Sequence, residues 1–162
     1  MRFISAYALL VFVLISFASA QESPDSQSIE HFLDKLARSI EEGDFDTYES
    51  MFHVDAIGVV VTSETEKQTR VIAETLKQNK IDFAEISSGK RRQSIEFKLS
   101  SIFQDSSSAV VSGMIHYWSS EGDAEPAHWY GNFEWYLLNR NGWNIVASQQ
   151  GTSTSEAWNS IE

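Results

Sequence analysis

Apolar residues between Ile29 and Ile40 fall at Ile29, Phe32, Leu33, Leu36, Ala37 and Ile40, the spacing that gathers side chains on one face of an α-helix. Ser28 is suited to cap that helix and Gly43 to stop it. Asp44 then caps a second, shorter helix in which Phe45, Tyr48, Met51 and Phe52 share a face. The segment 56–62, AIGVVVT, is β-branched and apolar, which predicts a strand. From Ser63 to Lys80 a weaker stripe of Val71, Ile72, Thr75, Leu76 and Asn79 predicts a return to helix.

Beyond a loop or strand entry at 87–93 the pattern becomes that of long strands. Ser94 to Gln104 is the first, a turn at Asp105 to Ser108 leads into Ala109 to Trp118, and an acidic loop, 119–126, follows. The stretch 128–150, HWYGNFEWYLLNRNGWNIVASQQ, reads as two aromatic-rich strands hinged at Asn141-Gly142, a strong hairpin signal. With a two-residue turn, Arg140 faces Trp143. Trp129, Phe133, Trp135, Leu137, Val146 and Ser148 then share the face packed on the helices, whereas Tyr130, Asn132, Glu134, Tyr136, Leu138, Ile145, Ala147 and Gln149 share the other. Neither face is plainly polar, so a second copy covering the outer one is expected. Helices first and antiparallel strands after make an α+β fold.

The two ends alter the domain limits. Arg2, the apolar run 8–17 and Ala18-Ser19-Ala20 have the layout of a cleavable signal peptide, 1–20, too short to span a bilayer. A secreted or periplasmic protein is expected, with a flexible lead-in at 21–27, one domain over 28–152 and a C-terminal tail at 153–162. The whole chain carries a net charge of −11, and loss of Arg2 with the leader leaves 11 basic residues against 23 acidic ones. That balance argues against nucleic acid and anionic membrane as partners. With no cysteine, the fold rests on its core rather than on disulfides.

Three segments carry a family resemblance: the turn EEGDFDTYESMFHVDAI at 41–57, the strand AVVSGMIHYW at 109–118, and the closing pair WYLLNRNGWNIVASQQGT at 135–152. In this order they resemble the nuclear transport factor 2-like superfamily, and in particular its SnoaL-like and ketosteroid-isomerase-like branch. The GDFDTYESMF turn also resembles the association domain of calcium/calmodulin-dependent kinase II, another member. The resemblance implies a curved antiparallel sheet wrapped around N-terminal helices into a cone with an apolar pocket, and dimers formed through the outer sheet face. It also implies several function classes, from isomerases, dehydratases and polyketide cyclases to binding and assembly modules.

Candidate chemistry lies with the histidines and the aromatic residues. His53-x-Asp55 after the second helix has the composition of a carboxylate-oriented general base, although a helix-ending turn favours the same residue types. His116, on the strand before Trp118, and His128, across the acidic loop beside Trp129, are expected at a pocket mouth, with partly exposed strand ends as the alternative. His53, Asp55 and His116 are therefore the candidate catalytic residues, and Tyr48, Trp118, His128, Trp129, Phe133 and Trp135 the candidate pocket lining. The ketosteroid-isomerase resemblance adds Tyr117, Tyr130 and Glu134 as chemically eligible groups. Lys90-Arg91-Arg92 is the one dense basic cluster, suited to an anion, an acidic partner or a solvated strand entry. Metal-ligand spacings, a Gly-rich phosphate loop and a nucleophile elbow are all missing from the sequence, so no metal or cofactor is expected. Two functions follow: binding of a small, largely apolar organic molecule, with or without acid/base isomerase, dehydratase or cyclase turnover, or a non-catalytic dimeric interaction or assembly module.

Overall fold

The computed structural model describes residues 26–61 and 67–161. The signal peptide and most of the lead-in lie outside the described residues. Helix α1, Ser26–Glu42, starts two residues before the expected cap at Ser28. It buries Ile29, Phe32, Leu33, Leu36 and Ile40, while His31 faces solvent. The helix ends at Gly43, whose φ of 69° only glycine adopts freely, and a Cβ there would approach the Ser87 nitrogen to 2.7 Å. The turn between the first two helices is thereby pressed against the backbone at Phe83 and Ser87. Helix α2, Phe45–Ser50, is capped by Asp44, whose side chain accepts the Thr47 N–H at 3.1 Å.

Strand β1, Phe52–Val61, leads into β2, Lys67–Val71, which pairs with it antiparallel, and only then does α3, Ile72–Ser87, begin. The helix predicted over 63–80 is therefore displaced. Its first part, KQTRV, completes hydrogen bonds along the free edge of β1, a gain that outweighs local helix propensity. The helical stripe instead continues to Phe83 and Ile86, both buried.

Strands β3, Arg91–Gln104, β4, Ser108–Glu121, β5, Ala127–Asn139, and β6, Trp143–Thr152, run antiparallel in succession. The six-stranded order is β2-β1-β6-β5-β4-β3, with β1 and β6 parallel. This is the expected α+β arrangement, a curved, unclosed mixed sheet around the helices. The core joins the α1 stripe to Phe83 and to Val111, Ile115, Phe133, Trp135 and Leu137 of the inner sheet face.

The terminal hairpin turns through three residues rather than two: Asn139 pairs with Trp143, and Gly142 takes a φ of 109°. A bulge at Val146 then restores the expected register, so that Tyr136 pairs with Ala147 and Trp135 with Ser148. Trp143 and Ile145 consequently point into the core, at 6% and 0% exposure. The segment 153–162 contains helix α4, Ser155–Asn159, capped by Thr154, whose Trp158 is buried against the outer sheet face.

Candidate functional site

The cone encloses a cavity of about 290 Å³ between α1, α3 and the concave sheet face. Leu36 and Ile40 of α1, Ile72 and Leu76 of α3, and Ile95 and Ile115 of the sheet make most of its wall apolar. Tyr48, Trp129 and Trp135 belong to the same wall. Phe133 lies behind it, packed edge-on against Phe97 at 5.8 Å between ring centroids. The indole of Trp129 folds over Gly131, where a Cβ would come within 2.2 Å of it. That missing side chain lets Trp129, still 37% exposed, close one side of the mouth.

Polar groups enter this wall at a few points. The Asn79 amide donates to the Tyr48 hydroxyl at 3.2 Å. No acceptor for the Tyr48 hydroxyl proton lies among the described residues. Desolvation pushes the Tyr48 pKa up to about 12, so the phenol stays protonated and remains a donor. The Tyr117 hydroxyl donates to the Gln93 side-chain oxygen, and the Gln93 amide donates in turn to the Ile40 carbonyl at 3.1 Å. Burial raises the Tyr117 pKa as well. The Trp135 Nε1–H is buried without a partner among the described residues. Thr75, Ser148, Gln150 and Arg70 complete the polar lining, in which no His, Asp or Glu among the described residues takes part.

His53 and Asp55 sit elsewhere. Phe52 pairs with Ile145 and Ile57 with Ala147, so β1 loops out between these points and carries His53, Val54 and Asp55 away from its neighbour. Val54 is 78% exposed, and the Asp55 backbone N–H donates to His53 Nδ1 at 3.2 Å. The imidazole thus braces a turn, while the Asp55 carboxylate faces solvent.

His116, Trp118 and His128 do not line the cavity. Alternation along β4 puts Val111, Ile115 and Tyr117 inward and therefore Met114, His116 and Trp118 outward, with His128 paired opposite Trp118. On that outer face His116 Nε2 and His128 Nδ1 lie 2.9 Å apart, and the His116 ring stacks on Tyr130 at 4.5 Å. Trp158 of α4 covers the group, with the Lys98 ammonium 5.0 Å from its ring centre. The basic cluster is also taken up by the fold: Arg91 reaches Asp82 at 2.9 Å, Glu85 at 3.3 Å and Glu121 at 2.8 Å, and Lys90 reaches Glu85 at 2.7 Å. What sequence reasoning missed were Arg70 and Gln93 in the site. Asn79 and Thr75 had left a signal as polar members of an otherwise apolar helical stripe.

No protein-family model matches the chain, and no curated protein matches it. Solved structures do. A ketosteroid isomerase-like protein from Erwinia carotovora atroseptica superposes with a TM-score of 0.55 at 9% identity, covering 82% of this chain and 98% of its own. A nuclear transport factor 2-like protein of unknown function from Shewanella oneidensis gives 0.58 at 15% identity, covering 78% and 98%. A provisionally assigned scytalone dehydratase from Novosphingobium aromaticivorans gives 0.60 at 14% identity, covering 80% and 85%. Likeness at these identities carries the fold: the chain has the nuclear transport factor 2-like fold.

Proposed function

We propose that this nuclear transport factor 2-like chain is an exported protein whose cone binds a small, largely apolar organic molecule bearing a hydrogen-bond-accepting oxygen. The observation that carries the reading is an apolar cavity whose wall retains a donor, the Tyr48 O–H, without a protein acceptor among the described residues. A buried donor left unpaired costs about 1–3 kcal/mol, so a ligand oxygen that reaches one contributes beyond apolar burial. The volume of about 290 Å³ falls just below the roughly 300–1,000 Å³ of small-molecule pockets, enough for a small ligand only. Because the described residues of the lining include no imidazole or carboxylate, binding is supported over acid/base turnover.

Native mass spectrometry of the protein purified from its own host tests this. A co-purifying small molecule is expected, lost when Ser148→Leu fills part of the cavity. Identical spectra of the unliganded chain for both proteins would count against the reading.

A second reading, assembly as a homodimer through the outer sheet face, is favoured by one patch. Phe103, 70% exposed, and Tyr136, 44% exposed, flank Val110, Leu138 and Val146 beyond the area that α4 covers. Sedimentation of the wild type against Phe103→Glu distinguishes a dimer from a monomer.

A further inference from the structure

We propose that the ligand of the cone is an organic anion, its apolar body seated among the aromatic walls and its carboxylate held at the mouth by Arg70. This rests on the ligand-binding reading above and narrows its chemical class.

Arg70 is the one cationic residue among the described residues that line the cavity, and no acidic residue stands with it there. Strand register places it. Arg70 pairs with Gly58, and Gly58 with Ser148, so the three form one row across β2, β1 and β6. Gln68, Val60 and Gln150 form the next row on the same face. Arg70 and Ser148 thus flank a position with no side chain, and a strand-interior glycine suits the close approach of a ligand to the backbone. A Cβ at Gly58 would lie 3.2 Å from Ser148 Oγ and 3.5 Å from Ile72 Cγ1, which bound that space.

The surroundings of Arg70 differ from those of Arg91. Arg91 is held by three carboxylates. The Arg70 guanidinium donates to a neutral acceptor, Gln68 Oε1 at 3.0 Å, and forms no ion pair among the described residues. A chain with a net charge of −11 repels anions over most of its surface. A guanidinium that forms no ion pair among the described residues, at the rim of an apolar cavity, is where an amphipathic anion gains most. Its planar fork matches a carboxylate through two parallel hydrogen bonds, which an ammonium does not reproduce. The Ser148 hydroxyl and Gln150 amide add neutral donors beside it.

The test uses the full chain after leader removal, titrated with 2-naphthoate and with its neutral isostere 2-naphthamide. Tryptophan quenching and calorimetry both read the binding. Hydrogen bonds to a charged partner contribute about 1.5–3 kcal/mol, so wild type is expected to favour naphthoate by about tenfold or more. That preference should shrink with added salt and vanish in Arg70→Gln, which should lower the naphthoate affinity far more than the amide affinity. Arg70 is exposed, so the variant should melt with the wild type, and Arg70→Lys should keep a weaker preference. Equal affinities in wild type, or a preference that survives in Arg70→Gln, would overturn the anion subsite while leaving the cavity reading in place. Failure of wild type to bind either probe would overturn both.

Discussion

Replacing Tyr48 by Phe should remove part of the alkaline sensitivity of the fold. The phenol pKa rises from an ordinary 10.0 to about 12 because α2, α3 and the cavity wall strip water from the hydroxyl. Its protonated form is the one the native state favours. Below pH 10 neither native nor unfolded chain loses this proton, and the contribution to stability is constant. Above pH 10 the unfolded chain ionises at Tyr48 while the native one does not until about pH 12, so stability falls across that window. Two units correspond to about 2.7 kcal/mol at most. Tyr117, raised in the same direction, adds a parallel loss in both proteins.

Removal of the hydroxyl also leaves the Asn79 amide without its 3.2 Å acceptor, a pH-independent cost of about 1 kcal/mol. Urea unfolding followed by tryptophan fluorescence from about pH 9 to about pH 12 separates the two effects. Tyr48→Phe should start less stable at the lower pH and lose less as pH rises, so that the two curves converge or cross. Parallel curves over the whole range would mean that Tyr48 ionises as a solvated phenol and that the hydroxyl is not desolvated at the cavity wall.

Trp158→Ala should cost about 3 kcal/mol and release α4 from the outer face, seen as a lowered melting temperature and faster proteolysis near the C-terminus, because the indole is only 8% exposed. The Asp105 carboxylate accepts from the backbone and side chains of Ser107 and Ser108, which lowers its pKa to about 2. Its stabilising effect is present above pH 3.8 and lost towards pH 2, so Asp105→Ala should flatten the acid limb of a stability profile over that interval. Gly131→Ala would set a Cβ 2.2 Å from the Trp129 indole and 2.7 Å from the Gly151 carbonyl. It should lower the melting temperature and shift the Trp129 emission as the ring leaves the cavity mouth.

Faces and pairings show where sequence pattern suffices and where it does not. The α1 stripe needed only its periodicity, because Ile29 to Ile40 all turn into one core, shared with the inner sheet face and Phe83. His116 and His128 were separable from the cavity only through parity along β4, and parity depends on which of two half-apolar faces turns inward. Ser112, Met114, His116 and Trp118 give that strand an outer face too apolar to declare itself in sequence, since Trp158, forty residues on from Trp118, arrives to cover part of it. The hairpin poses the same problem at single-residue scale. Asn141-Gly142 marks a turn without deciding its length, and a two-residue turn would have buried Asn144 and Val146 in place of Trp143 and Ile145. Burying the larger indole and isoleucine exceeds that alternative by several kcal/mol at about 25 cal/mol per Å² of apolar surface, far more than a bulge at Val146 costs. The competition is settled by residues across the core, such as Met51, whose carbonyl accepts the Ile145 N–H at 2.9 Å. Arg70 escaped notice for a related reason: nothing local distinguishes KQTRV from the first turn of a helix, and only its pairing with Gly58 brings the guanidinium to the cavity.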